Sequence, residues 1–395
     1  MRHRMHRIVV LGAGYAGAYS AGILARRLDP ADAEITVVNA APDFVERLRL
    51  HQLAAGQDLK RLPLADMFAG TGVRLRVARV EAVDAASRTV ALDDGELAYD
   101  TLLYALGSTV ADHGVPGVAE HAFHVTDRAA ALRLRERLDG LGGGGRVLVV
   151  GEGLTGIETA TEIAESRPGL KVALAARGEP GDWLSPAARR HLRRAFDRLG
   201  ITVHAHTSVA RVEPTGVIGA DGTVLASEAT VWCGGFAVHP IAAASGLEVT
   251  DTGRIVVDRT MRSVSHPDVY AAGDSVHTVG ENGLPLPMSC ASAGFTAMQA
   301  IDAIVGRLTG REISSTALKY YGNHISLGRR DAIFQLVDGR ARATSWCLRG
   351  RPASLVKNGI LRGAAWSTGH PTFGMPTRRR RLAASPARSA ETALA

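Results

Sequence analysis

The sequence predicts an α/β fold in which two Rossmann-like, three-layer dinucleotide-binding domains precede a small C-terminal α+β domain. Two observations predict it. An apolar strand that runs into a glycine-punctuated turn and then a helix occurs twice, at residues 8–28 and 146–165. Each occurrence is followed by alternating apolar and polar segments typical of a β-meander. At 395 residues, 46% of them hydrophobic, the chain is long enough for two to three domains with their own cores.

The first unit consists of a strand at Ile8–Gly12, a helix, and a strand "EITVVN" that ends at Asn39. This is a βαβ unit of the length that a parallel crossover requires. Gly12 permits the tight turn, Gly14 lets backbone N–H groups approach a pyrophosphate, and Gly17 lets helix and strand pack closely. The N-terminus of the helix then faces the negative charge of that pyrophosphate.

The second unit repeats this arrangement, with a strand at Arg146–Gly151, a helix, and a strand that ends near Ala175. Gly151, Gly153 and Gly156 take the same three roles. One glycine pattern is weak evidence for a nucleotide site. Two patterns, each placed between a strand and a helix, indicate two pyrophosphate sites rather than two ordinary turns.

The meanders indicate that a whole domain is repeated. They turn on Asp94-Gly95 and Asp221-Gly222, and each ends in an apolar strand closed by a glycine, Gly107 or Gly234. Chance recurrence of a short glycine pattern would not reproduce the meander that follows it. We therefore infer a duplicated domain with an inserted meander.

The residue that ends the second strand of such a unit usually contacts the adenosine ribose, and an acid there accepts from the 2′-hydroxyl. The first unit has Asn39, which can still bond a hydroxyl but carries no charge. The second has Ala175 and Ala176, followed by Arg177. A missing acid and an added arginine suit a 2′-phosphate. The sequence therefore favours NADPH over NADH at the second site, unless Arg177 points to solvent.

Charge and composition argue against a nucleic-acid partner. The formal net charge is +7, but the basic residues in excess lie at the two ends of the chain and residues 8–375 are neutral. Aromatic residues make up only 5% of the chain, too few for a base-stacking surface. The arginine-rich end is expected to be a disordered, solubilising tail.

The cysteines exclude two further classes of protein. Cys233, Cys290 and Cys347 are far apart and form no C-x-x-C pattern, so we expect neither a disulfide framework nor a metal site. A reducing cytoplasm suits such free thiols. We find no signal-peptide pattern and no run of about 18 apolar residues that could span a membrane.

The motifs together resemble those of the FAD-dependent pyridine nucleotide–disulfide oxidoreductases, and most closely their non-disulfide branch, which contains the type II NADH dehydrogenases. The resemblance covers roughly residues 7–315. It is carried by "VVLGAGYAG", "YDTLLYALGS", "VVGEGLTGIETATEIAE" and "RTMRSVSHPDVYAAGDSV". The last motif is the most specific, because in the family the aspartate matching Asp274 holds the ribityl–phosphate region of the flavin.

The resemblance implies an interleaved FAD domain at residues 1–115 and 240–315, with an NAD(P) domain at 116–239 between its halves. A C-terminal domain at 316–375 and a disordered basic tail at 376–395 would follow. The glycine patterns and the resemblance together indicate these cofactor-binding residues: Gly12, Gly14, Tyr15, Ala16, Gly17, Asn39, Arg47, Gly107, Gly151, Gly153, Gly156, Arg177, Gly234, Gly273, Asp274 and Cys290.

The redox C-x-x-x-x-C of the disulfide-reducing branch is absent, which disfavours disulfide reduction. The corresponding region reads "PDFVERLRLHQLAAGQ". Its Glu46, Arg47, His51 and Gln52 are candidates for orienting substrate or tuning the flavin, the alternative being a charged amphipathic helix that covers the sheet. Glu158 is a further catalytic candidate, since relatives place it near the nicotinamide. It could instead simply favour the helix dipole.

Sulfide:quinone reductases resemble this branch but need paired cysteines at the flavin, and the three cysteines here do not match that pattern cleanly. Cys290 lies where relatives approach the isoalloxazine, although a small packed residue is the stronger interpretation. Tyr321, His324 and Arg329 open the C-terminal domain and could face the flavin. The glutamine-rich motif of the membrane-bound dehydrogenases is missing, which weakens the case for a quinone.

These observations predict a cytoplasmic FAD enzyme that takes hydride from NADPH or NADH and passes electrons to a small acceptor, such as a quinone or a biosynthetic intermediate. The alternatives are a sulfide- or thiol-oxidising enzyme of the same fold, and a nucleotide-sensing flavoprotein that acts through partner binding. A homodimer is a candidate assembly. The segment "PASLVKNGILRGAAW" has some helical apolar spacing, so we expect at most weak peripheral contact with the inner face of the membrane.

Overall fold

The computed structural model describes residues 4–314, 317–318, 320–372 and 379–383. Within these ranges the chain forms two parallel, five-stranded sheets, each with helices and its own meander, and a small antiparallel sheet near the C-terminus. The predicted fold class is therefore confirmed.

The first part of the chain forms most of one sheet and its meander. Its elements are β1 (His6–Leu11), α1 (Tyr15–Arg27), β2 (Ala33–Asn39), β3 (Asp43–Phe44), a 3₁₀ turn (Arg47–Arg49), α2 (Leu50–Ala54), β4 (Leu62–Pro63), α3 (Leu64–Phe68), β5 (Val73–Val77), β6 (Val80–Asp84), β7 (Thr89–Leu92), β8 (Gly95–Ala98), β9 (Thr101–Tyr104) and β10 (Ser108–Val110).

The middle of the chain forms the second sheet. Its elements are α4 (Val118–His121), β11 (Ala122–Phe123), α5 (Arg128–Asp139), β12 (Arg146–Val150), α6 (Leu154–Ser166), β13 (Lys171–Ala175), α7 (Pro186–Leu199), β14 (Thr202–His204), β15 (Val209–Glu213), β16 (Gly216–Gly219), β17 (Val224–Ala226) and β18 (Ala229–Trp232).

The last part returns to the first sheet and then forms the C-terminal unit. Its elements are β19 (Phe236–Val238), α8 (Ile241–Ala244), β20 (Ile255–Val256), β21 (Val269–Ala271), a 3₁₀ turn (Gly273–Ser275), β22 (Val276–His277), α9 (Cys290–Thr309), β23 (Gly322–Ser326), β24 (Ala332–Val337), β25 (Ala343–Arg349) and α10 (Arg351–Gly369).

The first sheet has the order β21-β9-β1-β2-β5, with parallel neighbours throughout. Strand β21 comes from the chain that follows the second sheet, so the first domain is built from two separated segments. The four residues of β9 are all buried, as expected for a parallel strand with both faces covered. Helix α1 packs against α9 on one face of this sheet.

The second sheet has the order β11-β18-β12-β13-β14 and is also parallel. Its meander, β15–β17, corresponds to β6–β8 of the first domain, and both are antiparallel three-stranded sheets. Helix α7 has the usual end signals, a Ser185 hydroxyl that accepts from the Ala188 N–H and a left-handed Gly200.

The C-terminal unit is a three-stranded antiparallel sheet, β23–β25, on which α10 packs. Residues 379–383 were predicted to belong to a disordered tail. They lie against α1 instead, where Arg380 bridges to Leu28 and Arg381 pairs with Asp29. The rest of the predicted tail, residues 376–378 and 384–395, lies outside the described residues.

Candidate functional site

The first glycine turn has the shape of an anion site. Gly12 has a φ of +93°, and a Cβ there would lie 2.3 Å from the Ala105 carbonyl oxygen. A Cβ on Gly17 would lie 1.8 Å from the Gly12 oxygen, so helix and strand can approach only without side chains. Helix α1 begins after Gly14 with no side-chain cap. Its first N–H groups are therefore available to a phosphate.

The second turn repeats this geometry. Gly151 has a φ of +121°, with the Cys233 carbonyl oxygen 2.4 Å from its would-be Cβ. A Cβ on Gly156 would lie 1.9 Å from the Gly151 oxygen. Helix α6 begins after Gly153, again without a side-chain cap. Both glycine patterns thus lie between a strand and a helix, as the sequence predicted, and both helices begin without a side-chain cap.

The end of the second strand and the adjoining glycine turn, here called the ribose corner, differ between the two domains. In the first, the Asn39 amide oxygen accepts from the Ala13 N–H at 2.9 Å. In the second, Arg177 is exposed, and its backbone N–H donates to the Glu152 carboxylate at 3.2 Å. Glu152 was not among the predicted site residues, since the middle residue of a G-x-G pattern carries no fixed role.

Gly273 and Asp274 lie close to the first turn, at the ends of β9 and β21. The Ser108 hydroxyl donates to Asp274 at 2.6 Å, and the Gly273 N–H donates to the Thr296 hydroxyl at 3.0 Å. Gly107 joins this group through its carbonyl, which accepts from Ser275 at 3.1 Å. The last motif of the sequence is therefore assembled beside the first glycine turn, although 261 residues separate Gly12 from Gly273.

Tyr15 and Ala16, the first residues of α1, pack beside the first glycine turn. The Tyr15 ring packs edge-on against Phe44 at 5.1 Å between centroids, and burial raises the pKa of its hydroxyl. Ala16 is buried, and its Cβ lies 3.4 Å from the position that a Cβ on Gly273 would take. In the second domain, Gly234 follows β18 as Gly107 follows β9 in the first, and the Trp232 ring leaves no room for a side chain on Gly234.

Arg47 reaches into the first site. One guanidinium nitrogen, Nη1, donates to the Ser108 carbonyl at 2.6 Å, and the guanidinium carbon lies 4.9 Å from the Phe236 ring centroid. The other terminal nitrogen, Nη2, is buried and has no hydrogen-bond partner among the described residues. Burial lowers the pKa of Arg47, and Asp274 partly opposes this shift. A buried cation with a free donor is a group prepared for an anionic or carbonyl ligand.

His51 is buried on α2, which packs against α5 and α6 of the second domain. Burial, with Lys357 and Arg49 nearby, lowers its pKa to about 3, so the imidazole is neutral at physiological pH. Its Nε2 has no partner among the described residues. Gln52 accepts from Arg49 at 2.9 Å, and Glu46 pairs with the same arginine at 3.3 Å. The alternative interpretation was a charged amphipathic helix that covers the sheet, but all five residues of α2 are buried, so α2 has no solvent-exposed charged face.

Glu158 lies in the first turns of α6 but faces the C-terminal unit. Its carboxylate is buried, forms an ion pair with Lys357 of α10, and accepts from the Ser326 N–H at 2.8 Å. Lys357 also donates to the His324 carbonyl at 3.1 Å. Burial lowers the pKa of the Lys357 ammonium to about 7. Sequence patterns could not identify Lys357, since its partners Glu158 and His324 are distant in the chain.

A cavity of about 310 Å³ lies between the start of α9 and the C-terminal sheet. Its lining is mostly apolar and includes two of the three residues predicted to open the C-terminal domain. The Phe295 and Tyr321 rings lie 6.0 Å apart, and His324 stacks on Phe334 at 4.7 Å. The lining residues are Cys290, Ala291, Gly294, Phe295, Tyr321, Gly322 and His324. Arg329, the third predicted residue, instead donates to Glu162 on α6 at 3.1 Å.

The Cys233 and Cys290 thiols are poor nucleophiles. Burial, assisted by Asp274, raises the pKa of Cys290 to about 12. Burial also raises the pKa of Cys233 to about 12. All three cysteines are free. Among the described residues, no cluster of histidine, cysteine and carboxylate side chains could hold a metal ion, and no helix has the length and hydrophobicity needed to cross a bilayer.

Comparisons with known proteins agree with this geometry. An NADH dehydrogenase-like protein of Mycobacterium tuberculosis is 32% identical over 382 residues, covering 90% of this chain and 93% of that protein. A type II NADH:quinone oxidoreductase of Staphylococcus epidermidis is 27% identical over 394 residues, covering 92% and 96%. The sulfide:quinone oxidoreductase of Aquifex aeolicus superposes with a TM-score of 0.77 at 19% identity, covering 94% and 93%.

The family model described as pyridine nucleotide-disulphide oxidoreductase matches residues 6–297, which contain both glycine turns and the Asp274 motif. The missing cysteine pair separates this chain from the disulfide-reducing members, while the relatives share its length almost end to end. The chain therefore belongs to the pyridine nucleotide–disulphide oxidoreductase family, as a flavoprotein oxidoreductase of its NADH dehydrogenase-like branch.

Proposed function

We propose that the protein is a FAD-dependent NAD(P)H:quinone oxidoreductase. The observation that carries the proposal is the apolar cavity beside α9, whose aromatic lining suits a flat, uncharged acceptor ring. Two of the proteins to which the chain is similar are named as quinone oxidoreductases. The overall reaction would convert NAD(P)H, a proton and a quinone into NAD(P)⁺ and a quinol.

Two features of the first domain suit FAD. Its glycine turn excludes side chains where a pyrophosphate would lie. Among the described residues the buried Arg47 Nη2 has no hydrogen-bond partner, so it can donate to a bound flavin, and the nearby Asp274 favours the charged form of Arg47. When bound, FAD supplies the two-electron relay between hydride donor and acceptor. Arg47, Ser108 and Asp274 would hold the flavin, while the second glycine turn would hold the nicotinamide nucleotide.

The chain would supply the proton that a quinone needs in addition to the hydride equivalent. Lys357 lies behind the cavity wall, because its ammonium donates to the carbonyl of His324, a lining residue. With a pKa of about 7 it can hold or release a proton near neutral pH. Glu158 would fix its position and balance its charge. His51, which stays neutral, would add no competing charge to this group.

We also propose that α10 brings the cavity to a membrane surface, where quinones reside. One side of the helix exposes large apolar side chains: Leu355 is 74% exposed, and Val356, Ile360 and Trp366 are between 42% and 48% exposed. Arg351 and Arg362 are also exposed on this helix. Apolar residues beside arginines are typical of helices that lie in the headgroup region of a bilayer.

The experiment is anaerobic mixing of the flavin-loaded protein with NADH or NADPH, followed by steady-state turnover with menadione. Bleaching of the flavin and formation of one menadiol per nucleotide oxidised are expected. A protein that bleaches but does not turn over with any quinone would favour the nucleotide-sensing alternative. A protein that is not bleached by either nucleotide would refute the proposal.

The sulfide- or thiol-oxidising alternative is tested by replacing Cys290 and Cys347 with serine. We expect quinone turnover to persist, because the Cys290 thiol is protonated at neutral pH and no second thiol is paired with it. Sulfide-dependent quinone reduction by the wild type, lost in C290S, would favour the alternative instead.

A further inference from the structure

The second glycine turn carries a carboxylate where the first carries none. The two turns can be aligned by their hydrogen bonds, since Gly12 N–H donates to the Val38 carbonyl and Gly151 N–H donates to the Ala175 carbonyl. This alignment pairs Ala13 with Glu152. It also pairs Asn39, the strand-end residue of the first domain, with Ala176 of the second.

In each domain one side-chain hydrogen bond connects the glycine turn with the strand end, but the side chain comes from the strand end in the first domain and from the turn in the second. In the first, the strand-end side chain of Asn39 reaches back to the backbone N–H of Ala13 at 2.9 Å. In the second, the turn side chain of Glu152 reaches across to the backbone N–H of Arg177 at 3.2 Å. A polar side chain therefore occupies the ribose corner in both domains, but in the second it comes from the turn and is charged.

Among the described residues, one oxygen of the Glu152 carboxylate accepts a hydrogen bond and the other does not. Oε2 accepts from Arg177, whereas Oε1 has no hydrogen-bond partner within the part of the chain that the structure describes. Oε1 lies 3.9 Å from the position of a Cβ on Gly178, so it is directed along the loop that follows β13. The neighbouring acid, Glu179, is already engaged by Arg193 and His206. Glu152 is thus the acid available at this corner.

We infer that Glu152 takes the place of the missing strand-end acid and accepts a hydrogen bond from the adenosine 2′-hydroxyl of NADH. The exposed Arg177, which forms no ion pair in the described ranges, lies beside Glu152 at the same corner, and its guanidinium suits the 2′-phosphate of NADPH. The site therefore recognises the 2′ position with two opposed charges, and the enzyme uses both nucleotides. This inference rests on the proposed function, since it assigns the nucleotide of the same site.

The test measures binding of two ligands that lack nicotinamide, ADP-ribose and 2′-phospho-ADP-ribose, to the flavin-loaded, full-length protein. In E152Q we expect about tenfold weaker binding of ADP-ribose, because a charged acceptor is lost, and tighter binding of 2′-phospho-ADP-ribose, because a repulsion is removed. R177Q should show the reverse pattern. The control is E136Q, which removes the same charge from the exposed face of α5 and should bind both ligands like the wild type.

The side-chain amide of E152Q still has an oxygen that can accept from the hydroxyl, so binding to a second variant, E152A, is measured as well. The bound flavin content reports whether each variant is folded. Folded E152Q and E152A proteins that bind both ligands with the wild-type ratio would overturn the role of Glu152 while leaving the proposed function intact. A wild-type protein that binds neither ligand would overturn the nucleotide site, and both proposals with it.

Discussion

The neutral, buried His51 should make the stability of the protein depend on pH in a way that a single substitution removes. Its pKa falls from an ordinary 6.5 to about 3 in the folded state, first because of burial and then because Lys357 and Arg49 lie nearby. Between these two values the unfolded chain binds a proton that the folded chain does not. The contribution to stability is therefore complete above about pH 6.5 and is lost as the pH falls towards about 3.

The magnitude follows from the size of the shift. One pKa unit corresponds to about 1.4 kcal/mol, so the unfolding free energy should fall by about 3 kcal/mol between neutral pH and about pH 4.5. It should fall by about 5 kcal/mol once the pH is below about 3. This loss belongs to His51 alone, whereas carboxylates that titrate in the same range affect wild type and variant equally.

The assay is urea unfolding of the wild type and H51Q across this pH range, each purified with its flavin. The difference in unfolding free energy between the two proteins should shrink by about 3 kcal/mol on going to about pH 4.5, because glutamine does not titrate. H121Q, which replaces an exposed histidine, should follow the wild type at every pH. A constant difference between H51Q and the wild type would refute the assignment of a neutral, buried imidazole.

Three further outcomes are expected. K357M should lower the unfolding free energy by about 3–5 kcal/mol in urea titrations, because it leaves the buried Glu158 charge unpaired, and the double variant K357M/E158Q should recover most of that loss. G156A should unfold about 1–3 kcal/mol more easily, because its Cβ would overlap the Gly151 carbonyl, whereas G153A has open space and should keep its stability but bind nucleotide more weakly. F295A should raise the KM for menadione about tenfold, through lost aromatic contact, without changing the rate of flavin bleaching in stopped flow.

The parts of the fold that depend on local pattern were predictable. Glycine is required at the first and third positions of each turn, because a Cβ there would collide with a backbone oxygen, as at Gly17 and Gly156. The same steric demand acts wherever this turn is built, so the pattern is visible in any such sequence. The meanders were predictable for a similar reason, since strand alternation and an Asp-Gly turn are both local.

The parts that depend on contacts between distant residues were not predictable. Lys357 lies 199 positions from Glu158, and nothing in its own helix distinguishes it from a surface lysine. Glu152 was missed for another reason: ribose recognition was sought at the strand end, where Ala176 has no polar group. Of the predicted catalytic residues, the structure encloses His51 and Glu158 around Lys357, whereas Arg47 lies apart from them beside Ser108.

Helix α6 connects the two halves of the proposed reaction. Its N-terminus forms the second glycine turn, and three acids spaced along one face, Glu158, Glu162 and Glu165, hold the C-terminal unit. Glu162 accepts from Arg329 at 3.1 Å, and Glu165 accepts from the backbone N–H of the same residue. Arg329 lies in the loop that follows strand β23, and this strand carries His324 of the cavity wall. Because α6 bears the nucleotide turn and its acids bind Ser326 and Arg329 next to the cavity wall, a displacement of α6 on nucleotide binding would be transmitted to that wall.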